Sequence, residues 1–154
     1  MGREIERKFL LKNDSWRDEI QRSKPMRQGY LCGNPRASVR VRISENAAWL
    51  NIKSATLGVE RLEFEYAVPV EDARTMLDEL AGEQVEKVRH ELYVEGHLWE
   101  IDEFSGANAG LIVAEIELDA ADEAFARPPW LGAEVSEDPR YYNNQLARHP
   151  YSRW

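Results

Sequence analysis

Ionisable side chains occupy every second position in most of the strand-like segments of this chain, with apolar residues between them. Glu4, Glu6 and Lys8 interleave with Ile5 and Phe9, and Arg40 and Arg42 with Val39, Val41 and Ile43. Glu63 and Glu65 alternate with Leu62, Phe64 and Tyr66; Lys87 and Arg89 flank Val88; Glu115 and Glu117 flank Ile116. In a β-strand, residues two apart share a face, so each segment has one charged and one apolar side. A single strand of this kind is an ordinary half-exposed strand. Here, however, basic pairs and acidic pairs are kept on separate strands. Like charges two apart on one strand face lie roughly 6.5–7 Å from each other, and that repulsion calls for a counter-charge from a neighbouring strand or a ligand.

The remaining punctuation gives the order of elements. Strands are expected at Arg3 to Lys12, Arg27 to Leu31, Ala37 to Ser44, Trp49 to Ala55, Val59 to Val68, Gln84 to Val94, Leu98 to Phe104 and Leu111 to Leu118. Turns at Glu45-Asn46 and Gly96 join two hairpins. Helical spacing of Ala73, Met76, Leu77 and Leu80 predicts a helix over Val70 to Ala81, stopped by Gly82. A short helix is expected after Asn13-Asp14-Ser15, another over Asp119 to Ala126 before Pro128-Pro129, and a last one from Pro139 to Leu146. Eight strands dominated by hairpins argue for an antiparallel sheet or barrel in a single domain, 1–154. A closed barrel with a wet, charged lumen and a greasy exterior clad by helices accounts for both the charge pairs and the amphipathic helices. It would set Leu62, Phe64, Val88, Leu92 and Ile116 outside, beneath helices, with Trp16, Trp99 and Trp130 as outer packing and Trp49 on the face of Lys53.

Composition narrows the partners. The net charge of -8 over 154 residues argues against nonspecific binding to nucleic acid or an anionic membrane. It leaves room for an anionic ligand if the bases are gathered in one place. Cys32 is the single cysteine, so no disulfide or thiolate cluster forms within one chain, and it is expected to be a small buried hydrophobe. Met1-Gly2-Arg3-Glu4 runs directly into a charged strand, and no apolar run approaches membrane-spanning length, so a cytoplasmic protein is expected. A homodimer is compatible with these features.

The inward set would be Glu4, Glu6, Glu63, Glu65, Asp102, Glu115 and Glu117 against Lys8, Arg40, Arg42, Lys53, Lys87 and Arg89. Clustered carboxylates without His or Cys companions suit hard cations, Mg²⁺ or Mn²⁺. His90 falls on the strand face opposite Lys87 and Arg89, and His97 and His149 sit at a turn and near the tail. Arginine forks and lysine ammoniums suit phosphate oxygens. Gly106-Ala107-Asn108-Ala109-Gly110 lacks the Lys-Ser/Thr end of a P-loop, so phosphate would be recognised by side chains. Metals on acids and phosphates on bases are the requirements of phosphoryl chemistry.

Glu4-x-Glu6-x-Lys8 resembles the N-terminal signature of the CYTH superfamily, the triphosphate tunnel metalloenzymes. The rest follows in the same order: Arg40-Val-Arg42, Lys53, Glu63-Phe-Glu65, Lys87-Val-Arg89, Asp102 before Phe104, and Glu115-Ile-Glu117. Tyr141-Tyr142-Asn143-Asn144-Gln145-Leu146-Ala147 is similar to the C-terminal helix of the short bacterial members. The resemblance implies an α+β fold built on an eight-stranded antiparallel tunnel that binds triphosphate inside. It implies Lys8, Arg40, Arg42, Lys53, Lys87 and Arg89 as substrate ligands. Glu4, Glu6, Glu63, Glu65, Asp102, Glu115 and Glu117 would be the metal set, and Glu4, Glu6, Glu115 and Glu117 would be catalytic together with Tyr30, similar to a tyrosine near the tunnel that tunes activity. Members differ in substrate, and the short length favours an inorganic triphosphatase using Mg²⁺ or Mn²⁺. Thiamine triphosphatase, a cyclase with a nucleoside pocket near Gln28 or Asn51 at one tunnel mouth, and a non-catalytic polyphosphate binder are the competing readings.

Overall fold

The computed structural model describes residues 2–55 and 58–154. Among the described residues nine strands are formed: β1 (Arg3–Leu11), β2 (Arg22–Gly33), β3 (Ala37–Ser44), β4 (Ala47–Ser54), β5 (Glu60–Val68), β6 (Gln84–Val94), β7 (His97–Phe104), β8 (Ile112–Glu117) and β9 (Leu131–Glu134). The first eight run in the spatial order β5-β4-β3-β2-β6-β7-β8-β1, and β1 pairs back onto β5, so the antiparallel sheet closes into a barrel. One edge of β1 carries β8. The other edge is divided, with Arg3 to Ile5 facing β5 and Phe9 to Leu11 facing β9.

That ninth strand was not expected, and its sequence explains why. Leu131-Gly132-Ala133-Glu134 is short and has no alternation, and it is defined by proximity rather than propensity. A Cβ at Gly132 would stand 2.8 Å from the Leu10 carbonyl oxygen, so only glycine lets the two backbones approach this closely.

The outside of the barrel is covered unevenly. Over β1, β6, β7 and β8, a core of Phe9, Trp16, Leu92, Trp99, Ile101, Ile116 and Trp130 is sealed by the 3-10 turn Ser15–Glu19 and the segment leading to β9. Trp99 meets Phe9, Phe125 and Trp130 edge to face, at centroid distances of 5.7, 5.8 and 5.4 Å. This is the outer packing expected of Trp16, Trp99 and Trp130. Over β3 and β4, the helix α1 (Val70–Thr75) and the π-helical turn Met76–Leu80 bury Ala73 and Leu77 against Val41 and Ala48.

Several expectations are corrected. Leu62, Phe64 and Val88 are outward but uncovered, 50%, 43% and 37% exposed, whereas Leu92 and Ile116 are buried. Asp119 to Ala126 forms no helix: Glu123 turns back to accept the Asp119 N–H and to meet His97, and Pro128-Pro129 stops any continuation. Cys32 is exposed at the end of β2 instead of buried, beyond a register shift between Tyr30 and Cys32. The tail forms a 3-10 turn, Pro139–Tyr141, and the short helix α2 (Asn143–Arg148). It does not clad the barrel side. Leu146 and Tyr141 pack against Val85, Phe104 and Val113, apolar residues that continue the inward faces, and this stops one end of the lumen. Among the described residues, no helix is long and apolar enough to cross a membrane.

These layers make distinct stability predictions. Phe9→Ala empties a fully buried site and should cost about 3–5 kcal/mol in urea denaturation. Phe64→Ala, on the uncovered stripe, should change stability by less than about 0.5 kcal/mol.

Candidate active site in the barrel lumen

Because antiparallel partners point to the same side, register places the charged faces together. Across β8 and β1, Glu117 faces Glu6 and Glu115 faces Lys8. Glu4 faces Arg61 on β5, and Lys53 faces Glu63. Arg40 faces Tyr30 and Asn51, Arg42 faces Gln28 and Trp49, and Arg89 faces Lys24 and Asp102. The cavity inside the barrel, about 600 Å³, is lined by Glu4, Glu6, Lys8, Tyr30, Arg40, Arg42, Lys53, Glu63, Glu65, Arg89, Glu115 and Glu117. Lys87 and Asp102 are fully buried towards the stopped end. There Lys87 Nζ donates to Asp102 at 2.7 Å and to Asn143 of α2 at 3.1 Å.

Ion pairs knit the middle of the wall. Arg89 donates to both oxygens of Asp102, at 2.8 and 2.9 Å, and to Glu115 at 2.9 Å. Lys8 Nζ donates to the other Glu115 oxygen and lies 3.1 Å from Glu6. Lys53 Nζ stands 3.2 Å from both Glu4 and Glu63. Burial alone would raise the Glu115 pKa, but Lys8 and Arg89 more than offset it and hold this carboxyl well below its usual range. Asp102 is likewise lowered against its burial, by Arg89 and Lys87. Burial alone would depress Lys8, yet Glu115 and Glu6 raise it.

At the two poles of the cavity the balance fails in opposite senses. Glu117 is pushed up to about 7, by the desolvating tunnel wall first and then by Glu4, Glu6, Glu63 and Glu100. Arg42 is pushed down to about 9, by burial first and then by Arg40 and Arg89. An acid whose ionisation is disfavoured and a guanidinium whose charge is disfavoured mark, respectively, a place short of positive charge and a place short of negative charge. They lie in one cavity.

The acid pole has the donor chemistry of a hard divalent cation, since every donor is a carboxylate oxygen. Among the described residues no three such groups converge as a ready-made ligand set. The reason is visible in the pairs above: Glu4 and Glu63 lean on Lys53, and Glu6 leans on Lys8. In donor type these residues fit a hard divalent cation.

Residues missed in the sequence complete the wall. Arg61 belongs to the face of Glu63 and Glu65, two residues upstream, and Glu100 to that of Asp102; both line the cavity. Plain alternation would have found them. Arg61 lies over the Tyr142 ring, 5.1 Å from its centroid, and Tyr142 lines the cavity with Asn143 to Gln145. Gln28 and Asn51 are fully buried in the wall instead of at a mouth. Asn51 donates to Glu65 at 2.8 Å. His90, as expected, is outside, against Trp16 at 5.4 Å.

The CYTH domain profile matches residues 2–151. The chain belongs to the CYTH domain family. A relative from Acetivibrio thermocellus named inorganic triphosphatase is 41% identical over 155 residues, spanning 100% of this chain and 99% of that protein. One of the same name from Nitrosomonas europaea is 36% identical over 149 residues, spanning 94% and 96%. Among solved structures, the crystal structure of the inorganic triphosphatase NE1496 superposes with a TM-score of 0.68 at 34% identity, covering 94% of this chain and 93% of that one. A Pyrococcus furiosus protein superposes at 0.61 with 19% identity, covering 77% and 80%, a likeness of fold alone.

The Glu117 shift predicts a pH-dependent gain. A carboxyl whose folded pKa is raised stabilises the fold while protonated, and that contribution is lost as pH rises from the ordinary carboxylate range to about 7. With chelator present, Glu117→Gln should melt above the parent at pH 8 and level with it at pH 4. Equal melting temperatures at pH 8 would contradict the crowded acid pole.

Proposed function

We propose that this chain is a divalent-metal-dependent hydrolase of inorganic triphosphate, releasing phosphate and pyrophosphate inside the tunnel. The observation that carries the reading is the pair of opposed poles in one cavity of the barrel. A triphosphate would compensate the crowded bases and a divalent cation the crowded acids. The 41% identity to a protein named inorganic triphosphatase supports the same substrate.

Arg40, Arg42 and Arg89, with Lys8, Lys53 and Lys87, hold the phosphate chain; Arg61 extends this set. Glu4, Glu6, Glu63 and Glu117 hold the ion, Mg²⁺ or Mn²⁺, which supplies charge neutralisation and an activated water when bound. Glu115 and Asp102 keep Lys8, Arg89 and Lys87 in place, Glu65 stands beyond them on Asn51, and Tyr30 borders the phosphate path opposite Arg40. Water attacks the terminal phosphorus and the bridging P–O bond breaks. The charge gathering on the departing pyrophosphate meets lysines and arginines already oriented by buried partners, so little reorganisation is needed. The burial of Gln28 and Asn51 counts against a nucleoside pocket built from them and so against the cyclase reading. The expected compartment is the cytoplasm.

A phosphate-release assay over inorganic triphosphate, ATP, thiamine triphosphate and pyrophosphate tests this directly, with Mg²⁺ or Mn²⁺ and with cyclic AMP monitored. Inorganic triphosphate should be the preferred substrate, and activity should vanish in chelator. Full activity in chelator, or a preference for ATP with cyclic AMP formed, would replace the proposal.

The basic wall makes a second prediction. Arg42→Lys keeps the charge but loses the planar fork. Charge-assisted hydrogen bonds contribute roughly 1.5–3 kcal/mol each, so triphosphate affinity should fall about 10- to 100-fold. Pyrophosphate binding should change less, since a shorter chain engages fewer bases. Unchanged triphosphate kinetics would reassign Arg42 as a structural counter-ion.

A further inference from the structure

Arg89 and Arg42 both face the cavity, yet they are held differently. Arg89 donates to three carboxylates, Asp102, Glu100 and Glu115. Arg42 has no ion pair among the described residues. Its hydrogen-bond partner is a neutral amide, Gln28, directly opposite it on β2. Arg42 Nε donates to Gln28 Oε1 at 2.9 Å. Gln28 is fully buried, and its Nε2 finds no partner among the described residues. A buried amide nitrogen without an acceptor is costly, and a glutamine that served packing alone could be an apolar side chain.

The geometry gives that amide a purpose. Gripping a guanidinium by Nε fixes its plane and leaves both Nη groups free, which is the edge that matches two phosphate oxygens. A carboxylate in the same place would grip more strongly, but it would also compensate the charge and compete with an incoming anion. Burial first, and then Arg40 and Arg89, disfavour the Arg42 charge, and Asp102 and Glu115 offset them only in part.

We infer that Gln28 is a positioning residue for phosphate recognition. It is a neutral amide that orients Arg42 through Nε and keeps that guanidinium's charge available to the anion. This rests on the triphosphatase reading and deepens it by separating the arginine that binds from the side chain that aims it.

Gln28→Glu preserves length and the accepting oxygen and changes only the charge. It should stabilise the protein without substrate, because a buried arginine gains a counter-ion, and at the same time raise KM for inorganic triphosphate by about tenfold or more. A side chain that merely fills the wall would move stability and KM together or leave KM alone. Gln28→Met, which removes the acceptor, should raise KM while lowering the melting temperature. Melting curves without ligand and steady-state kinetics with Mg²⁺ read both quantities. A Gln28→Glu protein with KM within twofold of the parent overturns the inference, as does one that melts below the parent. A parent protein that neither binds nor hydrolyses inorganic triphosphate overturns the triphosphatase reading and this inference with it. Parent activity beside an unaltered Gln28→Glu KM overturns this inference alone.

Discussion

Glu115 is shared by Lys8 on β1 and Arg89 on β6, and Arg89 also carries Asp102 on β7. Through β8, where Glu115 resides, this network spans four strands of the barrel wall. Removing one member of such a buried set leaves an uncompensated charge and costs about 3–5 kcal/mol, more than a typical point change. The network also sets the pattern of the rest. By neutralising the middle of the cavity, it leaves the surplus acids around Glu117 and the surplus bases around Arg42 on separate sides. The tunnel is therefore polarised as well as charged.

The net charge of -8 gives no hint of this arrangement. Net charge describes the far field, which governs solubility and long-range steering. Close to Arg40, Arg42 and Arg89 the local field is basic, and the low-polarity wall strengthens it. An acidic protein can therefore hold a polyanion, provided that the bases are enclosed and the acids are distributed elsewhere.

Most of the barrel was legible because a period of two admits no compromise. A one-residue slip in β3 would turn Arg40 and Arg42 outward and Val41 inward, so alternation fixes both strand and face. The boundaries of β6 were recovered from sequence alone, and the charged faces converged as the pattern required. The failures lie where the determinant is tertiary. β9 exists because Gly132 permits close approach to Leu10. Asp119 to Ala126 avoids a helix because Glu123 caps the local backbone. Arg61 and Glu100 differ from these, since each shares a strand face with a charged lumen residue, Glu63 or Asp102, and alternation alone places it in the cavity. The buried position of Gln28 was not readable from β2 alone, because the facing of a polar residue between Met26 and Tyr30 is decided by its partners on β3 and β6.

The divided edge of β1 has a consequence for the order of events during synthesis. The strand that carries Glu4, Glu6 and Lys8 precedes the other described strands in the chain, yet its neighbours β5, β8 and β9 begin at residues 60, 112 and 131. Its hydrogen bonds wait until most of the chain exists. Such long-range closure slows folding and leaves an open edge in the meantime. The same delay means that the acidic pole is assembled only when the last strands arrive, so the nascent chain has no complete tunnel with which to trap metal or phosphate.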